Sequence, residues 1–178
     1  MPYNLPTFET SNISLGPCVV TVGPEGVEPN IDIGAIRASA SIAITRSTTD
    51  VLLGNPALLV ERFANAESIE ITLTSLEWDL YNWSLWALGY PLGYTNALDF
   101  GGLPTFKKCS LKLLHRMPSG ATIEMDFWRC VPSGNLTIPF SDDVHEFELT
   151  FHVMYSSEDW NGNPLSEGEQ LCRIKKIE

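Results

Sequence analysis

Hydrophobic and polar residues alternate with period two along several stretches of the chain, the signature of half-buried β-strands. In the segment starting at Ser68, Ile69, Ile71 and Leu73 fall on one side and Glu70, Thr72 and Thr74 on the other. Residues 121–131 set Ile123, Met125 and Phe127 against Glu124, Asp126 and Trp128, and residues 145–155 set Phe147, Leu149, Phe151 and Val153 against Glu146, Glu148, Thr150 and His152. Residues 35–46 alternate too, with a second face of small and polar residues that includes Ser39 and Ser41. Shorter strands are expected at 16–23, 106–117 and 170–177, and the turn Met117-Pro-Ser-Gly-Ala121 makes a hairpin of 106–117 and 121–131. The result is six or seven strands in a mainly β domain spanning 1–178. Three parts lack such a pattern. Residues 1–16 are polar and read as an extended arm. In 47–67 the run ALLVERF reads as strand or helix, with few β-branched residues to support a strand, and this segment and the Gly- and aromatic-rich 89–105 are expected to be long loops.

The strand at 69–77 gives way to a different period. Asp79 is a suitable N-cap, Trp78, Tyr81, Leu85 and Leu88 form a helical stripe at offsets 0, 3, 7 and 10, and Gly89 with Pro91 ends the element. Leu80, Trp83 and Trp86 lie off the stripe. A short helix that is apolar on several sides needs more than one surface against it, in its own core or on a neighbouring subunit. Aromatic residues are common interface anchors. The candidate subunit-interface residues are therefore Trp78, Tyr81, Trp83, Leu85 and Trp86, with Tyr94 and Phe100 from the following loop.

Charge narrows the range of partners. The 178 residues hold 11 Lys+Arg and 22 Asp+Glu, a formal net charge of −11. Tight nucleic-acid binding by displacement of counterions needs clustered cations, and here only Lys107, Lys108 and Lys112 and then Arg173, Lys175 and Lys176 lie close in sequence. No apolar run is long enough to span a membrane, and the N-terminal residues do not resemble a secretory signal. Cys18, Cys109, Cys130 and Cys172 match no zinc or CxxC spacing, so reduced, core-packed thiols are expected. Of the three histidines, His115, His145 and His152, the first and last fall on different strands without neighbouring carboxylates at metal-ligand spacing, and no nucleophile elbow or phosphate loop occurs. The same-face pairs Glu124/Asp126 and Glu146/Glu148 have the residue types of a glycosidase site, but they read more simply as solvated sheet faces. Neither an enzyme nor a cofactor is indicated.

The strand ending Leu-Glu-Trp78, the helix Asp79-Leu-Tyr-Asn-Trp-Ser-Leu-Trp-Ala-Leu-Gly89, the early IDIGAIRASASIAITR and the closing FELTFHVMYSSEDWNGNPLSEGEQLCRIKKI resemble, in order and patterning, the tail tube (major tail) proteins of tailed bacteriophages. The resemblance implies a β-sandwich or split-barrel domain with one short flanking helix, whose strands join an intersubunit β-barrel in a ring, usually a hexamer. It also implies that rings stack into a tube, with the arm 1–16 and the segments 47–67 and 89–105 making contacts between subunits or rings. The partners would be further copies of the chain, other phage tail proteins, and double-stranded DNA passing through the lumen without tight binding. The location would be the virion tail, assembled in the cytoplasm of a bacterial host. Six copies at −11 carry about −66 per ring, enough to repel DNA phosphates from the wall. The candidate lumen-facing residues are Glu70, Glu124, Asp126, Glu146, Glu148, Ser39 and Ser41. A tube terminator, a distal tail ring, an injection-machine tube or a small β-barrel ligand-binding domain are the alternatives.

Overall fold

The structure, a computed structural model, describes residues 18–34, 36, 40–77, 79–90, 96–100, 106–138, 140 and 145–178. Eight strands among them form one antiparallel sheet: β1 (Cys18–Pro24), β2 (Ile31–Asp32), β3 (Ser41–Leu53), β4 (Leu58–Ser75), β5 (Cys109–Arg116), β6 (Thr122–Pro132), β7 (Phe147–Val153) and β8 (Cys172–Ile177). Their order is β2-β1-β5-β6-β7-β4-β3, with β8 also paired to β6, and the sheet does not close on itself. One side of β6 pairs with β5. The other is shared end to end, with β8 along Thr122–Phe127 and β7 along Cys130–Pro132. The mainly β architecture with one short helix is the one expected from the alternation.

Alternation places the core. Val20 and Val22 of β1, Ile69, Ile71 and Leu73 of β4, Leu111 and Leu113 of β5, Phe127 of β6, and Phe147, Leu149 and Phe151 of β7 share one buried cluster. The helix plugs it. Asp79 accepts hydrogen bonds from the Tyr81 and Asn82 backbone N–H groups, as its capping role requires. One α-helical turn, α1 (Leu80–Asn82), runs into a π-helical turn (Trp83–Ala87), in which the Leu88 N–H reaches the Trp83 carbonyl at 2.9 Å. The wider turn lets Trp83, Leu85 and Trp86 all point inward, and the Trp83 ring lies 4.4 Å from that of Phe147. Gly89 ends the element at φ +67°, where a side chain would strike Pro132 and Phe106.

Two expectations need correction. The strand foreseen at 35–46 begins at Ser41; Ile36 makes only an isolated bridge to Ser75, and residues 35 and 37–39 lie outside the described residues. The segment 47–67 is not a loop. It is most of a long β-hairpin, paired in register from Ser41↔Thr72 to Leu53↔Leu58. Two register shifts leave Asn65 and Val60 of β4 without partners on β3, so the side-chain phase changes twice and no continuous alternation survives.

The core assignment of the helix has a measurable consequence. Trp83→Ala is expected to cost the isolated subunit about 3–5 kcal/mol in denaturant unfolding, whereas Tyr81→Ala, on the one exposed residue of the helix, should stay within about 0.5 kcal/mol. A cost below about 1 kcal/mol for Trp83→Ala would place the tryptophan outside the folding core.

Candidate functional site

The most unusual surface is the outer part of the β3–β4 hairpin. From residue 43 to 68 every residue except Val51 is exposed, on both faces of the ribbon. Apolar side chains dominate its far half: Leu52, Leu53, Leu58, Leu59, Val60 and Phe63 are each half exposed or more, with Leu58 at 65% and Leu53 at 61%. Cross-strand polar contacts support it along the shaft. Arg62 Nε meets Asp50 Oδ1 at 2.6 Å, Arg46 meets Glu67 at 3.2 Å, and the Asn65 amide donates to Thr49 Oγ1. The Arg62 hydrogen bond holds the Asp50 carboxyl below the usual carboxylate range. Exposed pairs of this kind add little stability, and a lone two-stranded hairpin is marginal in water.

The ribbon also has two open edges. Among the described residues β3 pairs only with β4, so its outer backbone edge is free throughout. β7 covers β4 only at Glu70–Ser75, which leaves the edge of β4 below Glu70 open as well. β8 lies along the lower half of β6, in line with β7, yet does not pair with β4. The sheet splits there, and a groove of about 200 Å³ lined by Glu67, Ile69, Gly168, Gln170, Leu171 and Cys172 lies in the split.

Away from the core, β3, β4 and β7 present one polar face. Register places Ser41 opposite Thr72, Glu70 opposite His152, Thr72 opposite Thr150 and Thr74 opposite Glu148. His152 Nδ1 lies 3.5 Å from Glu70 Oε2, and a shallow depression runs from these two over Glu148 and Thr150 to Ser133, Asn135 and Thr137. Ser41, Glu70 and Glu148 are thus brought together on an open face. Glu146 precedes β7 and is half-buried, and Ser39 lies outside the described residues.

Glu124 and Asp126 do not belong to that face. They project from β6 beneath the 156–170 loop and beside β8, and the Asp126 side chain is only 2% exposed. Lys175 of β8 reaches Glu124 at 2.8 Å and Asp126 at 3.0 Å, and Lys112 of β5 lies 3.8 Å from Glu124 and also pairs with Glu28. Burial raises the Asp126 carboxyl above its usual range. Burial also pushes Glu124 upward, but the hydrogen bonds from Lys175 and Asp126 bring it below its usual value. Trp160 from the loop covers this cluster, with Lys112 Nζ 4.9 Å from its ring centre and the Trp128 ring 5.0 Å away. A carboxylate pair neutralised in this way is a clasp for β8. It is not a free acid–base pair, and the sequence hides this because the covering loop is remote in the chain.

The aromatic candidates divide. Trp83, Leu85 and Trp86 are 1–4% exposed in the single chain and pack in its own core. Tyr81 and Phe100 are exposed, at 42% and 67%, and remain accessible to a neighbour. Trp78 and Tyr94 lie outside the described residues. The apolar residues at the hairpin tip were missed as a surface. The signal for them was two apolar runs, VLL and ALLV, flanking a Gly-Asn-Pro turn. Among the described residues no group of three or more His, Cys, Asp or Glu side chains is placed to hold a metal ion, and no helix is long and apolar enough to cross a membrane. Burial pushes the Cys109 thiol up to about 12 and Cys130 well above its usual value.

No protein-family profile matches the chain, and no curated protein does. Among solved structures it is similar to a chain of the PVC sheath–tube complex of an extracellular contractile injection system in the extended state, at 19% identity and a TM-score of 0.44, over 84% of this chain and 87% of that one. It is also similar to a chain of the sheath/tube terminator of such a system, at 17% identity and a TM-score of 0.43, over 85% and 93%. Superposition at this level leaves the functional reading to the chain's own surfaces.

The β8 clasp can be tested directly. Lys175→Met removes the cation shared by two covered carboxylates and is expected to cost about 2–3 kcal/mol in denaturant unfolding, the lower end of the range for a broken buried pair because Lys175 is itself 43% exposed. Adding Asp126→Asn should recover part of the loss. A cost below about 0.5 kcal/mol would show that β8 is held by its backbone pairing alone.

Proposed function

We propose that the chain is a structural subunit that polymerises through its β3–β4 ribbon into closed rings, and that the rings stack into the tail tube of a bacteriophage. The observation that carries this reading is the ribbon: two long strands, exposed on both faces, open along both edges and apolar at the tip. A neighbour related by rotation about an axis roughly along the strands keeps its strand directions. Its β3 edge then meets the open edge of β4 antiparallel, the more favourable ladder. Head-to-tail contacts of this kind close into rings when the rotation allows, and a closed barrel removes the open edges that invite uncontrolled pairing.

In such a ring the domain bodies lie outside the barrel and the polar face of β3, β4 and β7 lines the bore. Ser41, Glu70 and Glu148 are its described members, and Glu146 and Ser39 are assigned to the same side. A small, polar and acidic wall suits the passage of double-stranded DNA without adhesion, in keeping with a chain of formal charge −11. The partners are then further copies, other tail proteins and transiting DNA; the site of function is the virion tail, assembled in the bacterial cytoplasm; and the role is structural, not enzymatic. The segment 89–105, with Phe100, and the arm 1–16 are assigned to contacts between rings.

Negative-stain microscopy of concentrated protein is expected to show open tubes of uniform diameter with an electronegative bore. Single rings that never lengthen would identify a ring that ends a tube, and persistent monomers would refute the proposal. Leu52→Glu with Leu59→Glu, on directly opposed exposed positions of the face turned from the bore, should abolish assembly while changing subunit stability by no more than about 0.5 kcal/mol.

A further inference from the structure

The core of the subunit is unfinished at one end. Where β4 parts from β8, the lining of the groove includes Ile69, Leu171 and Cys172, and the last two are only half-buried although they pack against the core. Just beyond it Ile174 of β8 and Ile44 of β3 are about half exposed, at 51% and 49%. The end of the 156–170 loop borders the groove through Gly168 and Gln170, while Trp160 turns to the other face of β6 beside Trp128, and no described segment closes the groove. Among the described residues the rims are two unpaired backbone edges, that of β4 below Glu70 and that of β8.

We propose that this groove is the seat of a second copy's β3–β4 ribbon, with the Leu52/Leu59 pair of the incoming ribbon covering Leu171, Cys172 and Ile174. The inference rests on the ring reading above and deepens it by naming the surface that receives the ribbon. Three observations select this occupant. The groove is continuous with the open β4 edge that a neighbouring β3 would pair with, so one approach satisfies both. Leu52 and Leu59 are directly opposed across the ribbon and share one face, each more than half exposed. That face also carries Arg46/Glu67 and Asp50/Arg62, already paired with each other, so seating it buries no uncompensated charge.

Cys172 supplies a native probe. Cys109 and Cys130 are fully buried and Cys18 lies on β1, away from the groove, so a thiol placed on the ribbon has one accessible partner at this seat. The Leu59→Cys protein, assembled and then oxidised with diamide, is expected to run on non-reducing gels as a ladder of covalent multimers, lost on reduction and absent when Cys172→Ser is added. Assembly is followed separately by light scattering and microscopy. Tubes or rings that form without the ladder, or a ladder that survives Cys172→Ser, would overturn the proposed seat while leaving ring assembly standing. Failure of the unsubstituted chain to assemble would overturn both.

Discussion

The governing constraint in this subunit is a β-ribbon that no other described part of the chain covers. A sheet gains stability by burying one face and pairing its edges. The body of the domain meets both conditions: β1, β5, β6 and β7 and the upper half of β4 surround one apolar cluster, and the helix seals it with Trp83 and Trp86. The outer ribbon meets neither. Its strands pair with each other and hold a few exposed ion pairs, but among the described residues both faces and both edges stay open. The proposed self-association rests on a long, apolar-tipped hairpin in this condition, and the geometry of its free edges suits another copy.

The same constraint organises the charges. The acidic residues do not act as one population. Glu124 and Asp126 are consumed by Lys175 and Lys112 in fixing β8 to β6. Asp50 and Glu67 steady the ribbon through Arg62 and Arg46. Glu70 and Glu148 remain on the open polar face of β4 and β7, among serines and threonines. This last group gives the open face its electrostatic character, while Glu61, Glu77, Glu158 and Glu167 are exposed elsewhere. The net charge of the chain therefore overstates the acidity of any one face.

Where one side of a strand is buried, the sequence is easy to read. The segments around Ile71, Phe127 and Leu149 alternate because burial imposes period two, and the Met117–Ala121 turn and the Asp79 cap have local signatures that need no tertiary knowledge. The ribbon was misread as a loop for the converse reason. With both faces in solvent no alternation is imposed, and the unpaired Asn65 and Val60 shift the phase further. Trp83 and Trp86 illustrate another limit. Apolarity on several sides of a helix is equally compatible with a core and an interface, and the π-turn that aims both rings inward has no sequence signature. Likewise the cover over Asp126 comes from a loop some thirty residues later, which strand patterning cannot anticipate.

Amide hydrogen exchange on the ribbon tests the central claim most directly. In dilute, monomeric protein the outward-facing amides of β3 and of β4 below Glu70 should exchange rapidly, while those of β5 and β6 stay protected. At concentrations where the protein assembles, the same ribbon amides should become protected by at least an order of magnitude, with little change in the body. Ribbon amides already protected in the monomer, or still exchanging freely in the assembled protein, would contradict the account.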